Sequence, residues 1–275
     1  MNRMYAVYIY QANVSMTFEY VARIGNPCYG LISIMYNYGM AELRGQERAD
    51  YVQGMFDRVA ERYDLMNRLM TAGQDVKWRQ FVIEKAAIPR GGRLLDIATG
   101  TGDIAWEGIT QDPTIQAVGG DFSTGMMQAG RRAYPERHVI DWTGADTLAL
   151  PFPNDYFDAV VSGFLMRNVI DVAGAFVEQY RVLKPGGTCV VLESSPPKDN
   201  VLKPFIKVHL NYVIPTVGKL LTGQADAYKY LPESTQAFKH PADLARVMRA
   251  AGFLNVGYKM FMFGTVAVHF GRKPL

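Results

Sequence analysis

The chain has 275 residues, 49% hydrophobic and 20% charged, a balance ordinary for a folded globular protein that excludes a wholly disordered one. A net charge of +3 is too small to argue for nucleic acid as a partner. Two widely separated cysteines, Cys28 and Cys189, argue against a disulfide framework or a thiolate metal site and fit a reducing cytoplasm.

Residues 1–40 hold 7 of the 16 tyrosines and only three charged side chains, Arg3, Glu19 and Arg23. No hydrophobic period persists through them. They read as a poorly patterned N-terminal extension, with a membrane-docking aromatic arm as the sharper alternative. The longest uncharged run, 24–41, is interrupted by Pro27 and three glycines, too broken to cross a hydrocarbon core of roughly 30 Å. No basic segment followed by a clean apolar block marks a signal peptide. A second unit is expected over 41–275.

Within it, Val52, Met55, Phe56, Val59, Tyr63 and Met66 recur at spacings of three and four, which predicts one amphipathic helix over 51–70. Another helix is expected over 75–87, stopped by Pro89 and the Gly91-Gly92 pair. β-rich runs follow at 93–98, 115–120, 138–143, 157–162 and 188–193. Helical patterns follow the first, second and fourth of these, notably at 123–133 and 171–183. The segments 253–261 and 265–270, separated by Met262-Phe263-Gly264, read as a hairpin. The expected fold is therefore α/β, a mostly parallel seven-stranded sheet with helices on both faces and a C-terminal antiparallel hairpin. Ligands in such sheets bind at the carboxyl ends of the strands.

The segment Leu94-Leu95-Asp96-Ile97-Ala98-Thr99-Gly100-Thr101-Gly102-Asp103 runs a strand into a glycine turn ahead of a helix. Gly100 and Gly102 let a ligand approach the backbone, because no Cβ stands in the way. As Gly100-x-Gly102-x-x-Ala105 the turn also satisfies the loose dinucleotide fingerprint, so the glycines alone do not choose the ligand. Asp96 does. A carboxylate there repels a pyrophosphate but favours a sulfonium cofactor carrying an ammonium group, with Asp103 beside it; Asp103 as a plain helix cap is the alternative. Asp121, 19 positions after Gly102 at the end of the next strand, can accept both ribose hydroxyls, with Phe122 beside it. Ser123 serves equally well to cap the helix that follows. Asp146, with Thr147, ends the third strand and can accept from an adenine amino group. The cofactor set is thus Asp96, Thr99, Gly100, Gly102, Asp121, Phe122, Asp146 and Thr147.

Two further segments carry a resemblance. They are Tyr63-Asp64-Leu65-Met66-Asn67-Arg68-Leu69-Met70-Thr71, continuing to Trp78, and Arg181-Val182-Leu183-Lys184-Pro185-Gly186-Gly187, continuing through Leu192-Glu193-Ser194-Ser195. Arg167-Asn168-Val169, Tyr228-x-Tyr230-Leu231-Pro232-Glu233-Ser234 and Ala251-Gly252-Phe253 accompany them. On these, roughly residues 50–273 closely resemble the ubiquinone/menaquinone biosynthesis C-methyltransferases, class I enzymes of Rossmann-like fold that use S-adenosyl-L-methionine. The Arg-x-Leu-Lys-Pro-Gly-Gly turn is shared by many methyltransferases; the Tyr-Asp-x-Met-Asn and Tyr-x-Tyr-Leu-Pro-Glu-Ser segments are far more specific. The chain departs from the family pattern at Thr71 and Asp75, usually Ser and His, and at Thr99, often Cys. Phe164-Leu165-Met166-Arg167-Asn168-Val169 stands where Phe-Gly-Leu-Arg-Asn-Val is usual, and Leu165 is expected to reshape the quinol pocket.

The resemblance implies C-methylation of a lipid-tailed quinol, demethylmenaquinol to menaquinol foremost, with ubiquinone biosynthesis also open. A small-molecule O- or N-methyltransferase and a catalytically impaired quinone-binding homologue are the alternatives. Methyl transfer to carbon needs a phenolate whose ortho carbon lies in line with the methyl group. Arg167 and Asn168, just past strand four, sit where substrate lies in this fold. Arg167, always protonated, is assigned to the developing oxyanion, with a surface ion pair as the alternative. Tyr63 covers the methionine end of the cofactor, hydrogen-bonds the quinol, or is a core tyrosine. Tyr230 and Ser234 are candidates for substrate binding, and no general base is evident. His138, His209, His240 and His269 show no ligand spacing, so no metal is expected. Helical elements at about 50–87 and 196–235 are expected to cap the substrate. Along 198–221, Val201, Phe205, Val208 and Tyr212 share a face beside Lys203 and Lys207, an arrangement suited to a polyprenyl tail and an anionic membrane. The expectation is a cytoplasmic enzyme in peripheral contact with the inner face of the membrane, with no nucleic-acid partner and a homodimer left open.

Overall fold

The computed structural model describes residues 45–197, 208–213 and 225–275, with Pro204, Pro215, Thr216 and Gly218 between them. The N-terminal extension 1–40 and most of the stretch 198–221 lie outside the described residues. Of the latter's named face, Val208 and Tyr212 are described, and both are exposed.

The amphipathic pattern of 51–70 makes helix, but not one helix. The chain forms α1 (Gly45–Val59), a 3-10 turn (Ala60–Arg62) and α2 (Tyr63–Met70). Ala60-Glu61-Arg62 has no helix-breaking residue, so the break is tertiary in origin. Asp57, late in α1, accepts from Ser123 Oγ at 2.5 Å and from the Gly125 amide at 3.2 Å. Asp64 in α2 accepts from Thr101 Oγ1 at 2.8 Å. The two halves are therefore anchored to different loops, and Ala60 packs on Met126 and Ala129 at the joint.

There follow α3 (Asp75–Ala86), β1 (Arg93–Ile97), α4 (Asp103–Gln111), β2 (Gln116–Asp121), α5 (Thr124–Ala133), β3 (Asp141–Gly144), β4 (Phe157–Gly163), α6 (Val172–Val182) and β5 (Leu183–Ser194). The described C-terminal part adds α7 (Ala225–Ala237), α8 (Pro241–Ala250), β6 (Leu254–Phe261) and β7 (Val266–Arg272). The sheet order is β3-β2-β1-β4-β5-β7-β6. The strands β1 to β5 pair in parallel, and β7 runs antiparallel to both β5 and β6.

Two strands differ from their expected bounds for visible reasons. β3 begins three residues late, because Arg137 is drawn inward to the Thr101 carbonyl (2.6 Å) and Asp103 (2.8 Å), which holds Pro135–Val139 in a 3-10 turn. β5 begins early: Leu183 already pairs with Phe157, and the register then shifts so that Thr188 pairs with Ala159.

Both faces of the sheet are covered, and strand alternation divides the core between them. Leu94, Ala159, Val161, Val190 and Leu192 pack with Trp78, Val82 and Ile104 on one side. Leu95, Val160, Cys189 and Val191 pack with Phe176, Leu244 and Met248 on the other. Strand order reverses between β1 and β4, and that switch point opens a crevice at their carboxyl ends. Among the described residues no helix is long and apolar enough to cross a membrane.

Candidate active site

Two adjoining cavities open at these strand ends, one of about 540 Å³ and one of about 170 Å³. Phe56, Tyr63, Ala98, Gly100, Gly163 and Phe164 line both.

The smaller cavity gathers Asp121, Phe122, Asp146 and Thr147, which come from the ends of β2 and β3. Asp121 is buried and accepts from the amides of Gly100 and Ser123, each at 2.7 Å. Helix capping falls to Ser123, whose side chain accepts from the Met126 amide at 3.1 Å. Asp146 is exposed and accepts from the Leu148 amide at 2.9 Å. The buried Thr147 hydroxyl has no hydrogen-bond partner among the described residues. Leu165 lines this cavity and not the larger one.

Asp96 and Thr99 sit beneath the glycine turn. One Asp96 oxygen accepts from Thr99 Oγ1 (2.8 Å) and from the Ala105 amide (3.0 Å), while Oδ1 is buried without a partner among the described residues. Gly100 and Gly102 both have positive φ, 59° and 89°. A Cβ on Gly102 would sit 2.5 Å from the Trp142 ring, so the missing side chain there makes room for that ring. Gly102→Ala is accordingly expected to destabilise the fold by about 1–3 kcal/mol, since it combines overpacking with a strained backbone. Chemical denaturation checks this, and a change below about 0.5 kcal/mol would refute it. Asp103, at the first position of α4, neither caps that helix nor stands free. Arg79 holds it at 2.5 Å and Arg137 at 2.8 Å.

Burial, the dominant cause, pushes Asp96 up to about 7 and Asp121 up to about 6, against the hydrogen bonds each accepts. Asp121 and Asp103 add repulsion at Asp96, and Asp57 does so at Asp121. A carboxyl whose folded pKa exceeds its unfolded value near ~4 holds its proton more tightly when folded. The stability it contributes is complete below that unfolded value and is lost as pH rises through the folded pKa. The ligand-free protein should therefore lose stability from these groups between roughly pH 4 and 7. A cationic ligand that needs the ionised carboxylates should bind more tightly across the same window. Melting curves of wild type and Asp96→Asn test this: an identical pH dependence in the two would contradict it.

The larger cavity is mostly apolar, with Met55, Val59, Met66, Met70 and Trp78 in its wall. Tyr63 stacks edge-on against Phe56 at 5.9 Å, and burial raises its phenol pKa. Arg167 lines this cavity but is no surface residue: it is buried and paired with buried Glu193 at 2.5 Å, its Nε without a partner among the described residues. Asn168 accepts from the Tyr230 hydroxyl at 2.9 Å, and this contact joins α7 to the loop after β4. Ser234 lines neither cavity; its hydroxyl donates to the Leu231 carbonyl at 3.1 Å, and the next residue, Thr235, faces the larger cavity instead. Sequence reasoning assigned no site role to Thr71, Arg79, Thr101 or Gly163, all of which line a cavity. The glycine-turn motif contained Thr101; for Arg79 the local signal is its i,i+4 spacing from Asp75, while its second partner, Asp103, is 24 positions away.

A mostly parallel seven-stranded sheet closed by an antiparallel hairpin, with its site at the carboxyl ends, defines the class I methyltransferase fold. The backbone is similar to that of an S-adenosylmethionine-dependent methyltransferase from Thermotoga maritima (TM-score 0.55, 20% identity, 80% of this chain and 98% of that one). The chain belongs to the ubiE/COQ5 methyltransferase family, whose model matches residues 43–273. It is 46% identical to a ubiquinone/menaquinone biosynthesis C-methyltransferase of Desulfotalea psychrophila, over 81% of this chain and 90% of the relative. It is 43% identical to a demethylmenaquinone methyltransferase of Thermus thermophilus, over 80% of this chain and all of the relative (100%).

Proposed function

We propose that this chain methylates a ring carbon of a prenylated quinol with S-adenosyl-L-methionine as methyl donor, demethylmenaquinol to menaquinol being the foremost reaction. The observation that carries this reading is the junction of the two cavities. A small cavity carrying Asp121 and Asp146 meets a large, mostly apolar one that carries Asp96 and Asp103 at its glycine-turn end, and their shared wall contains Gly100, Tyr63 and Phe164. The residues present fit the cofactor. Asp96 Oδ1 and Thr147 Oγ1 are buried polar atoms with no partner among the described residues, in a set of carboxylates that suits a cation bearing ribose and adenine. When bound, the cofactor supplies a methyl group on a positively charged sulfur. Asp121 holds the ribose hydroxyls, Asp146 and Thr147 the adenine, and Asp96 with the turn from Thr99 to Gly102 the amino-acid end.

On the acceptor side, Met55, Met66 and Trp78 exclude water from the quinol ring, and Tyr63 orients it at the junction. Arg167 Nε donates to the oxygen on which charge develops, and Asn168, in the wall of the smaller cavity, is held in place by Tyr230. The lipid tail puts the enzyme in peripheral contact with the cytoplasmic face of the membrane. Exposed Phe263 at the hairpin tip, beside the larger cavity, supports this.

The test is transfer of labelled methyl from S-adenosyl-L-methionine to demethylmenaquinol and to the ubiquinone-series quinol under anaerobic reductant. Label in the menaquinol ring is expected. Cofactor binding with no labelled quinol of either series would sink the substrate assignment.

A further inference from the structure

Methyl transfer to a quinol carbon needs a group that takes the proton of the quinol hydroxyl. Arg167 stays protonated and is matched by Glu193. Asp96 lines the larger cavity at its glycine-turn end, where one of its oxygens is taken up by Thr99 Oγ1 and the Ala105 amide and where the cofactor's amino-acid end is proposed to sit.

The larger cavity has another polar corner. Thr71 closes α2 and Asp75 opens α3. Between them Ala72 and Gly73 take positive φ, 50° and 75°, folding Thr71 back over Asp75. A non-glycine residue in that conformation is strained and persists only where its surroundings hold it. Thr71 Oγ1 donates to Asp75 Oδ1 at 2.9 Å. Asp75 Oδ2 receives Arg79 of its own helix at 3.0 Å and faces Arg68 of α2 at 3.7 Å. Arg79 also bridges to Asp103 of α4. Asp75 is buried, and both it and Thr71 line the cavity beside Met70 and Trp78. Thr71 and Asp75 are both departures from the family pattern, and here they touch.

We propose that Thr71 accepts the hydrogen bond of the quinol hydroxyl and relays its proton to Asp75, with Thr71 as a catalytic residue and Asp75 as the positioning acceptor behind it. This rests on the quinol reading above. A threonine hydroxyl that donates to a carboxylate keeps its lone pairs for an incoming O–H. The quinol O–H bond breaks, and its proton goes to Thr71 Oγ1 as the threonine's own proton moves to Asp75 Oδ1. The electron pair left on oxygen flows into the ring, and the ortho carbon bonds to the methyl carbon. The carbon–sulfur bond breaks with its pair left on sulfur. The ring carbon then loses its proton to water, the C–H pair restores the aromatic ring, and Asp75 returns the stored proton through Thr71 to the oxygen. One proton is released for each methyl group transferred.

The experiment compares Thr71→Val, Thr71→Ser and Asp75→Asn with wild type at saturating cofactor, with calorimetric cofactor affinity measured on each. Thr71→Val and Asp75→Asn should lower kcat on demethylmenaquinol by about 10²–10³-fold. KM should rise less than about fivefold and cofactor affinity should hold. Thr71→Ser, which keeps the hydroxyl, should restore at least about a tenth of wild-type turnover. Thr71→Val within about threefold of wild type overturns the relay, as does a loss of cofactor affinity in parallel with kcat. If wild type labels no quinol, the functional reading falls and takes the relay with it. If wild type and Thr71→Val label it equally, only the relay falls.

Discussion

Asp121→Ala is expected to raise the dissociation constant for S-adenosyl-L-methionine by at least ~100-fold while the protein still folds. Asp121 is buried at the end of β2, and each of its oxygens already receives one backbone amide, from Gly100 and from Ser123. Each oxygen keeps a second lone-pair direction for a ribose hydroxyl. Hydrogen bonds to a charged group contribute about 1.5–3 kcal/mol apiece, so losing two weakens binding by about 10²–10⁴-fold. The two amides left without an acceptor cost the fold about 1–3 kcal/mol each. Asp121→Asn preserves the shape and one acceptor oxygen, and should fall between alanine and wild type. Isothermal titration on melted-and-checked variants decides: a dissociation constant for the alanine variant within about threefold of wild type would remove Asp121 from the cofactor site.

The second large effect concerns Arg167 and Glu193. Their side chains are 5% and 1% exposed and meet at 2.5 Å, and Glu193 also accepts from the Arg167 amide at 3.2 Å and the Ser194 amide at 2.7 Å. Removing one member of a buried pair strands the other charge, which typically costs about 3–5 kcal/mol. Glu193→Ala should show a loss of that size in denaturant unfolding. The paired change Arg167→Met with Glu193→Met leaves no orphan charge and should regain most of it. Turnover separates stability from chemistry. The double variant should remain about 10²–10³-fold slow, because the donor for the developing oxyanion is gone. A stable and active double variant would make the pair purely structural.

The strands were legible because burial on both faces of a parallel sheet leaves its mark in consecutive residues. Leu94 and Leu95 enter opposite cores, as do Val160 and Val161. The glycine turn was legible too, since only particular residues suit positive φ before a helix. Asp121 and Asp146 stood out because strand ends in this topology converge on one crevice. Partners were not legible. Arg167 reads equally well as a surface or a buried residue until β4 and β5 lie side by side, bringing Glu193 to it from 26 positions away. Ser234 and Thr235 are adjacent hydroxyls on α7, and only the rotation of that helix turns one to the Leu231 carbonyl and the other to Ser194 Oγ in the wall of the larger cavity.

Periodicity is a local property, so the sequence by itself determined the order of strands and helices, the glycine turn, the acidic positions and the kinship these motifs carry. Contacts between distant segments belong to the tertiary structure. Asp57 and Asp64 reach different loops, and the helix expected over 51–70 breaks between them although no residue there disfavours helix. Trp142 fills the space beside Gly102. Leu165 turns to the smaller cavity, and Thr71 closes over Asp75. Each outcome depends on which side chains meet when the layers pack, and the energies of those meetings exceed the few tenths of a kcal/mol per residue by which local propensities differ.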